Sequence, residues 1–271
     1  MPGPSRSSTS SAWTAGSGPS GAHPISSYRD TAVVLRKLDY GETDRIYTLL
    51  TQEHGKVGAI ARGVRRSASR LGPALELFSQ IDVQLARGRN LDVITQAVRL
   101  PGPRIDAEIE RTAHASLIAE LADRVSEERH PLEGLFELTA LALDELAREP
   151  EPRRASAYFM VVALDLLGYA PQLLVCASCE LPLPEEPAAF SPVAGGFLCG
   201  NCAAPGMHLV PVQALKVLRV MATGGIELYR RLKLDARLTG EVEQVLEAQL
   251  EYHLDRKLKS LRFLRQMRSY A

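Results

Sequence analysis

The sequence predicts an α+β protein: an N-terminal OB-fold β-barrel, followed by an α-helical domain with an inserted four-cysteine zinc finger. Three observations carry that prediction. Between residues 28 and 100, short runs rich in Val, Ile, Leu, Tyr and Thr alternate with turn residues. After Pro101-Gly102-Pro103 the apolar period lengthens from two to about four. Within the helical stretch, Cys176-x-x-Cys179 and Cys199-x-x-Cys202 are separated by residues 180–198. The implied boundaries are a tail at 1–26, a barrel at 27–102 and a helical domain at 103–271 with the finger at 174–206.

Residues 1–26 are dominated by Ser, Gly and Pro. They read as a disordered tail, because so little apolar area cannot offset the entropy of ordering. Gly16, Gly18 and Gly21 match the spacing of a dinucleotide fingerprint. No strand precedes them, Pro19 interrupts them and no helix follows, so the segment reads as a flexible linker or start-site extension. It has no apolar h-region, which argues against an ordinary secretory signal.

Residues 31–38 and 45–51 are strands joined by a turn at Tyr40-Gly41-Glu42. His54-Gly55 breaks the chain, and residues 56–64 form a third strand. Ile81, Val83 and Leu85 alternate with Asp82 and Gln84, the period of a half-buried strand. Gly88-Arg89-Asn90 is a hairpin turn, and residues 91–98 pair back. Residues 68–77 are the one plausible helix between the third and fourth strands. Three strands, a short helix and two strands is the element order of an OB-fold. An SH3-like barrel is the competitor, and the helix favours the OB-fold.

Proline supplies no ladder donor, so residues 101–103 end the strands. Ile105, Ile109, Ala113, Leu117, Leu121 and Val125 then form one helical stripe. Residues 132–146 and 155–167 are apolar all round and predict central helices, the latter stopped by Gly168 and Pro171. Residues 212–221 are a further helix, and Leu238, Val242, Val245, Leu246, Leu250, Leu254 and Leu258 mark one long last helix.

Two Cys-x-x-Cys hooks at this distance are the spacing of a tetrahedral Zn²⁺ site, in which each tight turn delivers two thiolates. Gly195, Gly196 and Gly200 suit the turns. Four protein ligands leave no position for water or substrate, so the single zinc is structural. The alternatives are a remnant site, a redox dithiol or an iron–sulfur centre. The strand–helix context of a redox dithiol is missing, and nothing suggests electron transfer. Pro182, Pro184, Pro187 and Pro192 forbid a long helix, so a short knuckle is expected, cross-linking a loop without a core of its own. Four cysteines in 271 residues without an export signal predict reduced thiols in a cytoplasm.

Lys+Arg and Asp+Glu are both 32, so whole-chain charge is silent and only its distribution informs. Lys56, Arg62, Arg65, Arg66 and Arg70 fall within an acid-free run, and Arg87 and Arg89 flank the later turn. In an OB-fold the loops after the first and fourth strands border the oligonucleotide face. Arg87 and Arg89 belong to the second loop and Tyr40, able to stack on a base, to the first. These seven cations are the candidate DNA contacts, with planar guanidinium recognition of phosphate; the plainer alternative is a solvated turn. Asp106, Glu108, Glu110, Glu120, Asp123, Glu127 and Glu128 make the next segment acidic, a surface expected to face away from phosphate. Arg256, Lys257, Lys259, Arg262, Arg265 and Arg268 make the C-terminus basic, as a second DNA contact, a receptor for an acidic peptide or a complement to helix dipoles.

Motifs for chemistry are missing. Gly55-Lys56 is followed by Val57, not by the hydroxyl of a phosphate-binding loop. No metalloprotease or serine-hydrolase motif occurs, and the six histidines are scattered. His208 is near enough in sequence to Cys202 to be a spare ligand. No run approaches the ~18 apolar residues of a membrane span. No enzyme is expected.

Residues 28–36 and 39–46, with His54-Gly55-Lys56-Val57 and residues 61–66, resemble the bacterial recombination mediator family RecO. The helix at 159–169 followed by the cysteine insert is similar too. The resemblance runs from about Ser26 to the C-terminus; residues 1–25 depart from it. It implies an OB-fold, a helical domain and, in some members, a zinc finger. It also implies binding of single- and double-stranded DNA, annealing of complementary strands, and nucleoid association. The partners it implies are RecR, RecF, RecA and the acidic, apolar C-terminal tail of single-strand-binding protein, docked on the helical domain, with no nucleotide hydrolysed. Against this mediator stand two other readings: a zinc-containing adaptor whose DNA contact is incidental, and a zinc-dependent or thiol enzyme, which the closed four-cysteine site opposes.

Overall fold

The computed structural model describes residues 26–105, 108–254 and 257–270. The tail at 1–25, with its glycine triplet, lies outside the described residues, as do Asp106 and Arg256.

The first strand, β1 (Ser27–Tyr40), is buried on both faces in its middle. Ala32 and Val34 point into the barrel, while Val33 and Leu35 point out into the helical core. That double burial explains why the run is continuously apolar rather than alternating. A bulge between Val34 and Arg36 shifts the register and lets the long strand bend. β2 (Asp44–Thr51), β3 (Gly55–Ala61), β4 (Gln80–Ala86) and β5 (Asp92–Arg99) complete a closed barrel in the order β1-β2-β3-β5-β4. β4 pairs back on β1 and β3 runs parallel to β5. Tyr47, Leu49, Val57, Ala59, Ile81, Val83 and Leu85 fill the interior, each at most 1% exposed.

This strand order makes the barrel OB-like; the helix expected at residues 68–77 does not. That stretch forms turns held by Ser69 N–H to Arg66 O and Leu75 N–H to Leu71 O. Gly72-Pro73 is the reason. The residue before proline is driven from the helical region, and proline removes a donor.

The helices are α1 (Ile109–Val125), α2 (Leu135–Arg148) and α3 (Pro152–Leu166), then α4 (Val212–Thr223), α5 (Gly225–Arg231), α6 (Ala236–His253) and α7 (Lys259–Tyr270). α3 is central: Phe159, Met160 and Leu164 are at most 1% exposed. Ile105 precedes α1 and Ile109 is 67% exposed, so the buried stripe of α1 begins only at Ala113. The single long last helix is instead α6 and α7. Leu254 leaves the helical region at φ −94°, ψ 123°, and Leu258 is buried beyond it, so α7 folds back against α1.

The cysteine insert also holds regular structure that its prolines concealed. β6 (Ala188–Ser191), β7 (Gly196–Leu198) and β8 (Leu209–Val210) form a sheet in the order β7-β6-β8. Ala189, Phe197, Val210 and Cys176 join the core of the helices rather than an independent one. Barrel and helices also share that core through Val33, Leu35 and Leu50. Among the described residues no helix is long and apolar enough to cross a membrane.

Candidate nucleic-acid interface and metal centre

The segment after β3 carries Arg62, Arg65, Arg66 and Arg70, all exposed. It is tied to the turn between β1 and β2. Asp44 Oδ1 accepts from Gly63 N–H at 2.7 Å and from Thr43 Oγ1 at 2.9 Å, and Arg65 N–H donates to Thr43 O at 2.9 Å. The Gly63 N–H, the Thr43 hydroxyl and the nearby Arg62 and Arg66 charges hold the Asp44 carboxyl below its usual range. Asp44 is thus a site-building residue that charge counting missed, although it ends the Gly41–Asp44 motif. Arg65 also reaches Gly41 O at 3.3 Å and sits 3.6 Å from Asp39. Among the described residues no ion pair engages Arg62, Arg66 or Arg70.

Arg87 and Arg89 lie on the exposed turn between β4 and β5. The parallel pairing of Ala59 with Asp92 puts this turn beside the start of β3, and Arg62 follows its end. The two basic groups therefore flank opposite ends of β3, about 20 Å apart at ~3.3 Å per residue. Between them Thr48 faces Gly58 and Ile46 faces Ile60 on the outer side of β2 and β3, a flat, partly exposed surface. Tyr40 stands at its edge, 56% exposed.

Lys56 does not join the arginines. Its Nζ donates to the Asp123 carbonyl at 2.6 Å and lies 3.3 Å from the Asp123 carboxylate, on α1. Acids of the segment expected to face away from phosphate turn towards the barrel or towards α7. Asp123 also pairs with Arg36, and Glu120 accepts from the N–H groups of Lys259 and Ser260. The basic C-terminus is largely engaged: Arg265 pairs with Glu247 and Glu251, and Arg268 with Glu243 and Glu247. Lys257, Lys259 and Arg262 remain exposed.

The Sγ atoms of Cys176, Cys179, Cys199 and Cys202 all lie within 4.8 Å of one another, and Cys179 and Cys199 are 3.8 Å apart. The ~2.3 Å Zn–S bonds of a tetrahedral site imply edges of about 3.8 Å, so the four donors fit. No disulfide forms. Burial works against ionisation of the Cys176 thiol. Backbone N–H groups of Cys179, Cys199 and Ser178 outweigh it and pull the thiol down to about 6. Ser178 favours ionisation of Cys202, yet hydrogen bonding with Cys179, Cys199 and Cys176 pushes it up to about 12. Such a cluster holds one thiolate readily and needs a cation to hold four. His208 takes no part; its Nε2 lies 3.1 Å from Glu241 on α6.

Two family models match the chain: recombination protein O N terminal over residues 25–100, and recombination protein O C terminal over residues 107–262. The first covers the barrel strands. The second covers α1 to α6 with the cysteine insert and alone spans more than half of the chain. With an OB-like barrel, a helical part and a closed cysteine centre in one molecule, the chain belongs to the recombination protein O (RecO) family of DNA repair and recombination mediators.

Proposed function

We propose that this protein binds single- and double-stranded DNA on the outer face of β2 and β3, anneals complementary strands, and helps load RecA onto DNA coated by single-strand-binding protein. The observation that carries this is the placement of exposed arginines at both ends of that face. Arg62, Arg65, Arg66 and Arg70 hold one end of the backbone and Arg87 and Arg89 the other, with Tyr40 available to stack on a base. Guanidinium–phosphate contacts are sequence-tolerant, as a strand annealer needs. Neutralising phosphates on two strands lowers their mutual repulsion, and the bases then pair by themselves. No covalent step is required of the protein. Lys56, tied to α1, contributes to the junction between barrel and helices.

The barrel at 27–102 and the helices at 103–271 act as DNA-binding and partner-docking units. RecR, RecF and the acidic, apolar tail of single-strand-binding protein are the proposed partners. A groove of about 740 Å³ between β1, α1 and α7 offers the tail a matching chemistry. Ile109 and Phe263 expose apolar surface there, beside Lys259 and beside Arg36 and Arg124, which pair with Asp123 and Glu120 of the same groove. Zn²⁺ is the metal proposed for the four cysteines. It would link the segment before β6 to the end of β7 and supply cohesion, not chemistry.

The test is annealing of two complementary oligonucleotides coated with single-strand-binding protein, followed by fluorescence at two salt concentrations. Salt-sensitive acceleration without ATP is expected. DNA binding without acceleration would favour the adaptor reading. For the metal, Cys199→Ser is expected to release zinc and to lower the stability of the helical part by several kcal/mol, while the barrel keeps its fold.

A further inference from the structure

The connection between α1 and α2 leaves the helices and runs along the barrel. Lys56 N–H donates to Glu127 O at 3.4 Å, and Arg129 N–H donates to Lys56 O at 2.9 Å. The approach is close enough to require glycine at position 55, where a Cβ would fall 2.3 Å from His130 O and φ is +66°. Arg129 itself adopts φ 59°, the left-handed region that disfavours a residue with a Cβ. Surrounding contacts must hold it there.

What holds it is Asp92. Arg129 donates to Asp92 Oδ1 at 2.8 Å, and Asp92 is fully buried at the start of β5. The same carboxylate accepts from Tyr28 Oη at 2.5 Å and from Gly88 N–H at 3.0 Å. Burial alone would raise its pKa, but these donors together keep it lowered. Gly88 lies inside the turn that carries Arg87 and Arg89, and a Cβ there would sit 1.8 Å from Leu91 O, so the turn is tightly wound. The Arg87 guanidinium rests over the Tyr28 ring at 5.0 Å, and that ring packs 4.4 Å from His54. One line of contacts therefore runs from Arg129 through Asp92 to Gly88 and Tyr28, and on to Arg87.

We propose that Arg129 is a positioning residue for DNA binding: through Asp92 it fixes the turn at residues 87–91 and the Tyr28 ring, and so sets where Arg87 and Arg89 meet phosphate. This rests on the reading of Arg87 and Arg89 as DNA contacts. It also makes the DNA-binding edge of the barrel depend on a residue from the helical part.

The experiment uses the full chain, a fluorescein-labelled single-stranded oligonucleotide and amide hydrogen exchange without DNA. Arg129→Gln is expected to speed exchange at Gly88, whose N–H is held by Asp92, and to weaken DNA binding about tenfold, the loss of one well-placed charged contact. In an Arg87→Ala/Arg89→Ala background the same change should cost almost nothing further, and Arg129→Lys should restore most of both readouts. Should Arg129→Gln fail to fold, Arg129→Gln/Asp92→Asn removes both charges and avoids an unpaired buried carboxylate. Additive losses of affinity would overturn the proposal, because Arg129 would then touch DNA itself. Unchanged exchange at Gly88, with Arg87→Ala/Arg89→Ala still weakening binding, would overturn the proposal alone. Unchanged affinity in Arg87→Ala/Arg89→Ala would overturn it together with the reading of this edge.

Discussion

The arginines after β3 and those of α7 look alike in sequence and differ in what surrounds them. Arg62, Arg66 and Arg70 sit on an exposed segment with no ion pair among the described residues. Arg265 and Arg268 reach across to α6, where Glu243 and Glu247 are 1% and 5% exposed. Arg153 from α3 shares Glu243, so three helices meet in one charge network. An exposed arginine keeps its charge for a ligand. One that compensates a buried carboxylate has a structural task, and removing it leaves that carboxylate unpaired at high cost.

The largest expected effect lies in the network. Arg265→Ala with Arg268→Ala, which leaves buried Glu247 without a cation while Arg153 still holds Glu243, should destabilise the protein by about 3 kcal/mol, measured by urea unfolding, with DNA affinity unchanged below the transition. An equal loss of DNA affinity would erase the distinction between the two regions. The reciprocal change, Arg66→Glu with Arg70→Glu, should leave unfolding within about 0.5 kcal/mol. It should weaken DNA binding roughly 10- to 100-fold at low salt and flatten the salt dependence by about two contacts. DNA affinity untouched by this reversal would place the binding face elsewhere.

The last effect is absent at neutral pH, grows only as pH falls, and sharpens the picture of the network. Buried His114 packs beside it, with Nδ1 2.7 Å from Ser156 Oγ. Burial, then the charges of Arg268 and Arg153, push it down from 6.5 to about 3. The unfolded chain thus binds a proton between these values that the folded chain refuses. The contribution is complete above about pH 6.5 and declines by up to ~1.4 kcal/mol per unit as pH falls towards 3. His114→Asn should flatten urea-midpoint curves over pH 4–6.5; an unaltered slope there would mean that His114 is protonated in the folded state.

Much of this was legible locally. Strand runs, the Pro101–Pro103 break and the cysteine spacing are short-range signals, and short-range sterics and ligand geometry act on them directly. The mistaken helix at residues 68–77 had an apolar pattern but contained Gly72-Pro73, and backbone restriction prevailed. The continuous helix expected through Leu258 failed because Leu254 and Leu258 serve a core completed by α7 folding back on α1, which periodicity does not encode. The insert's prolines suggested a bare knuckle, yet Phe197 and Val210 found cover in the helical core.

By itself the sequence determined the barrel strands, the barrel-then-helices order and the set of four thiols placed to hold a metal ion, because backbone preferences and ligand spacing operate over a few residues. Only the tertiary structure decided which cations face solvent. Lys56 lies on β3, six positions before Arg62, which follows that strand, yet it is bound by Asp123 from α1 while Arg62 is free of ion pairs among the described residues. Asp92 and Arg129 meet although 37 positions separate them. A charge acquires its role from the carboxylates the fold brings within about 4 Å, and those distances are set by packing rather than by composition.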